Sequence, residues 1–418
     1  MHTFLYKNDE LFCEQVPVAE IARQQGTPFY LYSQETLSRH YQVFDEAFAG
    51  IDHLVCYSVK ACSNLSVISL FAGFGSGCDV VSGGELFRAL KAGVPAAKIV
   101  FSGVGKTAAE ISAALDAGIL MFNVESSQEL EAINGIAGKM GRVAPVSIRV
   151  NPDVDPQTHP YISTGLSGNK FGVPMAEAMT QFQIAARLPH VEVIGVDCHI
   201  GSQLTQVSPF RDAMIRVKLL VESLRRLDME IRFLDIGGGL GITYDAEVPP
   251  LPKEYAEAVI DVLGDLQCTL IMEPGRVLVG NAGIMVTKVL YTKLGATKKF
   301  VIVDAGMNDL VRPSLYGAYQ NIIPVNRAAS GDSADLQPVD VVGPICESGD
   351  FLAQDRPLPS VCQGDLLAVM SAGAYGFTMS SNYNSRPRVP EILVTGDHYR
   401  VIRQRETFAD LIRGELLS

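Results

Sequence analysis

The sequence predicts an α/β protein in which a (β/α)8 barrel of the TIM type is followed by a mostly antiparallel β-barrel or sandwich domain. The chain has 418 residues, more than one hydrophobic core normally organises. Between residues 27 and 280, apolar runs rich in β-branched residues alternate with Ala-, Leu- and Glu-rich stretches of helical spacing. From about 282 this alternation stops, and short apolar runs are separated by Gly, Pro, Asn and Asp.

The first part of the chain contains eight predicted strands once Pro28–Tyr32 is set aside as a lead-in. Strands that alternate with helices imply a parallel sheet, because parallel neighbours need crossover connections. Eight such strands close a barrel of about 250 residues. An open doubly wound sheet has the same periodicity and remains an alternative. The eight runs are Leu54–Ser58, Cys78–Val81, Ile99–Ser102, Met121–Glu125, Val146–Val150, Val193–Ile200, Phe233–Ile236 and Thr269–Glu273.

Two domains follow from this pattern: a barrel over 27–280, and a β domain formed by 1–26 plus 281–418. The stretch Ala328–Asp335 is rich in Ser, Asp and Ala and predicts a surface loop. Residues 154–170 are polar and contain Gly, which makes them a candidate lid. The predicted strands of the β domain are Met285–Thr292, Phe300–Asp304, Gln337–Val341, Leu366–Ser371, Glu391–Thr395 and Tyr399–Gln404.

Composition and charge exclude several classes of protein. The 34 Lys and Arg residues against 46 Asp and Glu give a net charge of −12, which argues against nucleic-acid binding. No window reaches the about 18 uninterrupted apolar residues of a membrane span, and the start has no signal-peptide pattern. We therefore expect a soluble cytoplasmic protein. The eight cysteines form no C-x-x-C pair or zinc-type cluster, so no metal site is predicted.

Reactive residues of such barrels lie at the carboxyl ends of the strands. Here those ends carry Lys60, Asp79, His199, Glu273 and the three glycines Gly237–Gly239. Glycine lets the backbone approach an anion and aim its N–H groups at it, and barrel enzymes often bind phosphate after strands 7 and 8. The alternative is that these glycines are present only because tight turns require residues of positive φ.

Lys60 closes an apolar strand, so it is expected at the barrel mouth, where desolvation makes a lysine nucleophilic. A Schiff-base lysine and a phosphate-binding turn on one rim together indicate pyridoxal 5'-phosphate. That cofactor also needs a carboxylate for its ring nitrogen, and Glu273 is the natural candidate. His199 could lie on the ring face. A solvated strand-end lysine and a buried structural histidine are the simpler alternatives for these two positions.

Five segments resemble the alanine-racemase-fold, pyridoxal-phosphate-dependent amino-acid decarboxylases: Y-S-V-K-A (57–61), G-C-D-V-V-S-G-G-E-L (77–86), H-I-G-S-Q (199–203), L-D-I-G-G-G-L-G (234–241) and E-P-G-R (273–276). Others are similar to its diaminopimelate decarboxylase branch: H-P-Y-I-S-T-G-L-S-G-N-K-F-G (159–172), R-P-S-L-Y (312–316), C-E-S-G-D (346–350), G-A-Y-G (373–376) and S-N-Y-N-S-R-P-R (381–388). The resemblance covers residues 26–405. One departure is Y-S-V-K-A-C where the family usually has Y-A-V-K-A-N, which places Ser58 and Cys62 beside the lysine.

The resemblance implies a homodimer with active sites shared between subunits, and it implies roles for individual residues. Lys60 would form the Schiff base, His199 would stack on the ring, Glu273 would pair with the pyridine nitrogen, and Cys346 would be the proton donor. Asp79 would lie near the lysine. The phosphate would be held by Ser202, Gly237, Gly238, Gly239, Gly275, Arg276 and Tyr375. The substrate would be recognised by Arg276, Arg312, Tyr316, Glu347 and Tyr375.

The expected reaction is decarboxylation of meso-2,6-diaminopimelate to L-lysine and CO2, the last step of lysine biosynthesis. The distal end of this substrate carries a carboxylate and an ammonium. Arginine matches a carboxylate bidentately, so Arg276 and Arg312 suit it, and Glu347 suits the ammonium. A racemase on the same barrel, a non-catalytic pyridoxal-phosphate carrier and, more distantly, a nucleotide-binding oxidoreductase are the alternatives.

Overall fold

The computed structural model describes residues 2–154, 170–328 and 336–417. It divides into two compact units, one of residues 41–242 and 248–277 and one of residues 1–40, 243–247 and 278–418, called here the barrel unit and the β unit. Apart from their end residues, the predicted loop at 328–335 and the predicted lid at 154–170 lie outside the described residues. Within those residues, no helix is both long and apolar enough to cross a membrane.

The barrel unit contains a closed ring of eight parallel strands. Each strand pairs with the next along the chain, and the eighth pairs with the first, so no edge is left. This closure confirms the predicted barrel and excludes the open doubly wound sheet. The strands are His53–Ser58, Gly77–Val80, Ile99–Phe101, Met121–Val124, Ala144–Asn151, Val191–Asp197, Phe233–Asp235 and Thr269–Met272, and a short strand Val173–Pro174 pairs with the end of the fifth.

Helices connect the strands, and their starts follow from capping chemistry. Ser82, Thr107 and Ser126 each accept a hydrogen bond from a backbone N–H of the first turn. Leu65–Gly73 is apolar almost throughout and lacks an amphipathic period, so hydrophobic periodicity does not identify it as a helix. The helices are Leu65–Gly73, Gly83–Lys91, Ala108–Ala117, Ser127–Lys139, Met175–Ala185, Ser208–Arg225 and Pro252–Leu263.

The β unit is built on a nine-stranded, mostly antiparallel sheet, in which only two pairings are parallel among the described strands. Its helices include Val18–Gln25, the first part of Gln34–Ala47, Arg312–Tyr316 and Phe408–Leu411. A separate small sheet contains Phe4–Lys7, Glu10–Cys13 and Val16–Pro17. The large sheet contains Phe29–Ser33, Gly283–Leu294, Lys299–Val303, Ile322–Pro324, Gln337–Val342, Phe351–Leu358, Leu366–Val369, Glu391–Thr395 and His398–Arg403.

The run interpreted as a lead-in to the barrel, Pro28–Tyr32, has a different place in the structure. Phe29–Ser33 is a strand of the β unit and lies between Gly283–Leu294 and Glu391–Thr395. All five of its residues are buried, so it has the continuous apolar pattern of a barrel strand and periodicity does not distinguish the two. The predicted domain limits, 27–280 and 1–26 plus 281–418, stay a prediction; the compact units group residues 27–40 with the β unit.

The barrel interior is filled by an apolar plug, defined here as Cys56, Val100, Met121, Ile194 and Ile271. One residue from each of five strands contributes to it, and all five are almost completely buried. Such layers of inward-pointing side chains make the barrel a packed core rather than a pore. The plug therefore forms the floor beneath the side chains at the carboxyl ends of the strands.

Gly77 tests how tightly the strands of the ring pack. A Cβ at this position would lie 2.1 Å from the Lys98 carbonyl oxygen and 2.8 Å from Cys56 Sγ. We expect Gly77→Ala to lower the free energy of unfolding by about 1–3 kcal/mol, the usual cost of overpacking. Urea unfolding followed by circular dichroism measures it. Gly73→Ala, where a Cβ meets nothing within 4 Å, is the matched control, and equal loss in both variants would contradict the prediction.

Candidate active site

A polar layer covers the apolar plug. Side chains two residues apart on a strand point the same way, so the residues two positions after Cys56, Val100, Met121 and Ile271 also face the barrel axis. These residues are Ser58, Ser102, Asn123 and Glu273, and all are buried. The change from apolar to polar therefore occurs between two successive layers. The barrel mouth is a buried polar site built on rigid strands.

Lys60 lies just beyond the first strand, on the one-turn 3-10 helix Val59–Ala61. Its Nζ is 2.7 Å from Asp79 Oδ2, and the lysine side chain is 34% exposed whereas that of Asp79 is fully buried. The Ser58 hydroxyl donates to the same oxygen at 2.8 Å. The departure from the family motif at position 58 thus adds a hydrogen bond to the carboxylate that holds the lysine.

Asp79 is the anion of this pair. Burial alone would raise the pKa of its carboxyl, but the Lys60 charge and hydrogen bonds from Lys60 and Ser58 outweigh burial and lower the pKa. Asp79 Oδ1 is buried and has no hydrogen-bond partner among the described residues. The structure thus places the Lys60 amine beside the ionised Asp79 carboxylate, and Oδ1 of that carboxylate can still accept a hydrogen bond.

Glu273 follows the eighth strand and is 6% exposed. Its Oε1 accepts hydrogen bonds from the Ser102 hydroxyl at 3.2 Å and from Asn123 Nδ2 at 3.4 Å. Burial, and secondly the nearby Asp79 charge, raise the pKa of the Glu273 carboxyl to about 7. The group can therefore change its charge near neutral pH, and a cation beside it would favour the ionised form.

Arg149 occupies the mouth at the end of the fifth strand. Its Nη1 lies 3.0 Å from Glu125 Oε1, and its Nε lies 3.9 Å from Asp197 Oδ2. Burial alone would lower the pKa of the guanidinium, but these two carboxylates raise it. Glu125 also accepts the Gly172 N–H at 2.7 Å. Arg149 thus contributes a permanent positive charge, and its guanidinium is held in place by Glu125 and Asp197.

The glycine turn, Gly237–Gly239, packs directly against the eighth strand. A Cβ on Gly238 would lie 2.2 Å from the Glu273 carbonyl oxygen, so no other residue fits there. Gly237 and Gly239 have φ of 66° and 111°, which favour glycine. The Gly238 N–H donates to His199 Nδ1 at 3.1 Å. The turn therefore brings His199 and Glu273 to the same side of the mouth.

His199 is held neutral by this arrangement. Because Nδ1 accepts a hydrogen bond, the imidazole proton is on Nε2. Burial, followed by the charges of Arg149 and Lys60, lowers the pKa of His199 well below its usual value. A neutral, oriented imidazole ring suits packing against a flat ligand.

The remaining predicted barrel residues lie near the glycine turn. Arg276 is 7% exposed, and its Nη2 donates to the Ser202 hydroxyl at 3.1 Å. A Cβ on Gly239 would be 2.6 Å from the Gly201 carbonyl oxygen, one residue before Ser202. Gly275 packs against the first strand, where a Cβ would be 3.1 Å from Ser58 Cβ. A cationic guanidinium, a hydroxyl and glycine backbone thus converge on one part of the rim.

Arg312 belongs to the β unit, at the start of the short helix Arg312–Tyr316. Its Nη1 donates to the Tyr244 hydroxyl at 3.1 Å, and its guanidinium lies 4.7 Å from the centre of the Tyr244 ring. Tyr316 ends the same helix, which is capped by the left-handed Gly317. Tyr244 orients the arginine, and no sequence pattern indicated this contact.

Cys346, Glu347 and Tyr375 also belong to the β unit. Cys346 is exposed, and its backbone N–H donates to Asn384 Oδ1 at 2.8 Å. A hydrogen bond and the charge of Glu347 raise the pKa of the Tyr383 phenol. Tyr375 has φ of 55°, in the left-handed region that non-glycine residues adopt infrequently.

Several residues of the mouth were not predicted as site residues, among them Ser58, Ser102, Asn123 and Asp235. A polar side chain inside an otherwise apolar strand is the signal that could have identified them. The contacts that they make come from different strands and depend on the closure of the ring.

The chain is similar to known proteins over its whole length. The family model described as "Pyridoxal-dependent decarboxylase, pyridoxal binding domain" matches residues 34–280. The chain is 51% identical to the diaminopimelate decarboxylase of Haemophilus influenzae over 412 residues, with 98% of each chain covered. The crystal structure of diaminopimelate decarboxylase from Helicobacter pylori complexed with L-lysine has a TM-score of 0.90 at 46% identity, covering 94% of this chain and 98% of that one. For the L-lysine co-complex of the M. jannaschii enzyme the TM-score is 0.94 at 40% identity, covering 100% and 99%.

The closed barrel, its lysine-bearing mouth and the family match together define a pyridoxal-dependent amino-acid decarboxylase. Within this class, the identity to named relatives extends through the β unit as well as the barrel. The chain belongs to the diaminopimelate decarboxylase family. The resemblance noted in the sequence is thereby confirmed.

The raised pKa of Glu273 makes the stability of the ligand-free protein depend on pH. The folded protein binds a proton at Glu273 up to pH about 7, whereas the unfolded chain releases it near 4.5, so stability is lost as pH rises between these values. Glu273→Gln removes this loss. We expect the variant to gain on wild type by at most about 3 kcal/mol between pH 4.5 and 7. Parallel pH profiles from urea unfolding would contradict the prediction.

Proposed function

We propose that the protein converts meso-2,6-diaminopimelate to L-lysine and CO2 with pyridoxal 5'-phosphate, as the last step of lysine biosynthesis. The observation that carries the proposal is the Lys60 amine held at 2.7 Å from Asp79 in a buried polar mouth. Support for the substrate comes from full-length relatives named for this reaction and from relatives solved with L-lysine.

The residues of the mouth fit the cofactor. Lys60 would bind its aldehyde carbon, with Asp79 beside it, and Glu273 would pair with the pyridine nitrogen. Support for the fit is that the glycine turn leaves no room for a Cβ, and that Asp79 keeps a buried acceptor atom without a partner among the described residues. His199 would contact the ring face. The phosphate would be held by Ser202, Gly237, Gly238, Gly239, Gly275, Arg276 and Tyr375.

When bound, pyridoxal phosphate supplies a ring that accepts the electron pair left by departing CO2. The chain supplies the charges that would favour this transfer of electrons to the ring. Asp79 gives the Lys60 ammonium a counterion whenever the substrate amine replaces the lysine. Glu273 carries a negative charge where a protonated ring nitrogen would need one. The Nδ1 hydrogen bond keeps His199 neutral, so it adds no charge to the ring face.

Cys346 would return one proton to the substrate Cα after CO2 has left. A thiol can act as a general acid and give its proton to a carbanion. The resemblance implies a homodimer in which the partner subunit's Cys346 completes each site. This dimer and a cytoplasmic location are part of the proposal.

Recognition of the distal end of the substrate distinguishes this reaction from those of related decarboxylases. Arg276 and Arg312 would bind the distal carboxylate, because a guanidinium matches a carboxylate bidentately. Glu347 would bind the distal ammonium, and Tyr316 and Tyr375 would complete the pocket. A purely cationic distal group, as in ornithine, would be repelled by the two arginines.

Turnover and absorbance together test the proposed function. Purified protein should show the visible absorbance of lysine-bound pyridoxal phosphate and release CO2 and L-lysine from meso-diaminopimelate. Lys60→Ala should lose both signals. Release of CO2 from ornithine but not from diaminopimelate would refute the substrate, and epimerisation without CO2 would favour a racemase.

Substitution of Cys346 tests the proton donor. General acid catalysis contributes about 10²-fold or more, so Cys346→Ala should lower kcat by at least that factor while cofactor absorbance is retained. Cys362→Ala is the control, because Cys362 is also an exposed free thiol of the β unit. Unchanged turnover in Cys346→Ala would remove this residue from the mechanism.

Substitution of Arg312 tests recognition of the distal carboxylate. Loss of a charge-assisted bidentate contact should raise the KM for diaminopimelate about tenfold or more in Arg312→Ala, and Arg312→Lys should recover only part of it. Steady-state kinetics measures this change. Arg413→Ala, at a side chain that is 80% exposed, is the control. An unchanged KM would contradict the assigned role.

A further inference from the structure

Beneath the proposed cofactor site, Glu273 shares a hydrogen-bonded network with Asn123 and Asp235. We propose that Asn123 and Asp235 are positioning residues for Glu273: the Asn123 amide bridges the two carboxyl groups, Asp235 holds a proton, and this keeps Glu273 oriented toward the pyridine nitrogen and free to ionise beside it. The inference rests on the proposed function and deepens it, because it says how the chain prepares the carboxylate.

Asn123 is fully buried at the centre of the network. Its Nδ2 lies 3.1 Å from Asp235 Oδ2, 3.4 Å from Glu273 Oε1 and 3.1 Å from Ser102 Oγ. Its Oδ1 accepts the Ser147 hydroxyl at 2.5 Å. Since carboxylates only accept, the side of the amide that faces them must be the NH2 group, so the orientation of Asn123 is determined. The residues that lock this amide come from the third, fifth, seventh and eighth strands.

The two carboxyl groups lack cations of their own. Lys60 pairs with Asp79, and Arg149 pairs with Glu125, whereas neither Asp235 nor Glu273 forms an ion pair in the described part of the chain. Asp235 is fully buried and Glu273 nearly so. Two neighbouring carboxylates in a low-dielectric interior cannot both ionise, so the pair keeps a proton.

The proton resides on Asp235. Asp235 Oδ1 accepts the Gly237 N–H at 2.9 Å, and Asp235 Oδ2 and Glu273 Oε1 lie 3.1 and 3.4 Å from the same Asn123 Nδ2. Burial, followed by the charges of Glu273 and Asp197, raises the pKa of Asp235 well above its usual value, whereas that of Glu273 rises only to about 7. Asp235 is therefore the neutral member of the pair, and Glu273 is the one that ionises near neutral pH.

The other charged groups that face the pair do not change this assignment. Asp79 adds negative charge, which favours retention of the proton, whereas burial raises the pKa of Asp197 well above its usual value. Lys60 and Arg149 act on Glu273 and favour its ionised form, which leaves the proton on Asp235. The adjacent thiols of Cys56 and Cys198 stay neutral, because burial raises the pKa of both.

The consequence is a carboxylate whose direction is set before the cofactor binds. A free glutamate would lose side-chain entropy on pairing with the ring nitrogen. Hydrogen bonds from Ser102 and Asn123 offset this cost, and a protonated Asp235 adds no negative charge that would oppose ionisation of Glu273. The network should therefore affect cofactor affinity before it affects any later step.

The experiment measures pyridoxal phosphate affinity of the ligand-free full-length protein by visible absorbance. Asn123→Ala should weaken binding about tenfold or more, since it removes one of the buried donors to Glu273. Asp235→Ala should weaken binding as well, because it removes the acceptor that orients the Asn123 amide. Asp235→Asn should recover most of the loss, because its amide oxygen accepts from Asn123 as the protonated acid does. Ser102→Ala should weaken binding and its matched control Ser76→Ala should not, because Ser76 is buried but bonds only to the Val55 and Gly77 carbonyls.

An infrared spectrum of the ligand-free protein at pH 7 locates the proton independently of cofactor binding and activity. The carbonyl stretch of protonated carboxylic acids should be weaker in Asp235→Asn than in wild type, because one of the contributing groups is removed. The band should keep its wild-type intensity in Ser76→Ala. Because this measurement uses the conservative variant Asp235→Asn, it tests whether Asp235 is protonated even if an alanine variant fails to fold.

Failure of this inference differs from failure of the proposed function. If wild type binds pyridoxal phosphate and decarboxylates diaminopimelate, but Asn123→Ala and Ser102→Ala behave like Ser76→Ala, the network has no positioning role. If Asp235→Asn is as weak as Asp235→Ala, or the infrared band is unaffected, the proton is not on Asp235. If wild type binds no pyridoxal phosphate, the proposed function itself fails.

Discussion

Closure of the barrel is the constraint on which the site depends. Once eight strands form a ring, every second side chain must point inward, and successive inward residues form layers. The layer of Cys56, Met121 and Ile271 is apolar, and the layer two residues later contains Ser58, Asn123 and Glu273. The dry plug below excludes water from the base of the polar layer. Charges in that layer are consequently far stronger than they would be on a surface.

A second feature of the mouth is that carboxylates outnumber cations. Lys60 and Arg149 each have an anionic partner, and further buried acids remain beside them. Such an arrangement disfavours full ionisation, which is why burial and mutual repulsion raise the pKa of Glu273 and Asp235. It is also suited to a ligand that brings positive charge on a flat ring. The buried excess of acids is thus a functional property that costs stability in the ligand-free protein.

Much of the fold was predictable because it is local. The eight barrel strands and six strands of the β domain were found within a few residues of their ends from apolar runs and turn residues, whereas Ile322–Pro324 and Phe351–Leu358 were not predicted. Phe29–Ser33 was misplaced because a strand buried on both faces looks alike in either domain. Lys60 and the glycine turn were recognisable because a lysine after an apolar strand and three successive glycines are rare patterns. Ser102, Asn123 and Asp235 each resemble an ordinary polar residue and drew no attention.

The sequence by itself determined the class of fold, the reactive lysine and the family, because periodicity, strand ends and contiguous motifs are properties of neighbouring residues. Tertiary structure alone decided that the ring closes, that Asp79 meets Lys60 with Ser58 on the same oxygen, and that one amide serves two carboxyl groups. The side-chain contacts join residues that are 19 to 150 positions apart, and closure joins the first strand to the eighth. Their distances and shared protons depend on strand register and burial, which no local pattern encodes.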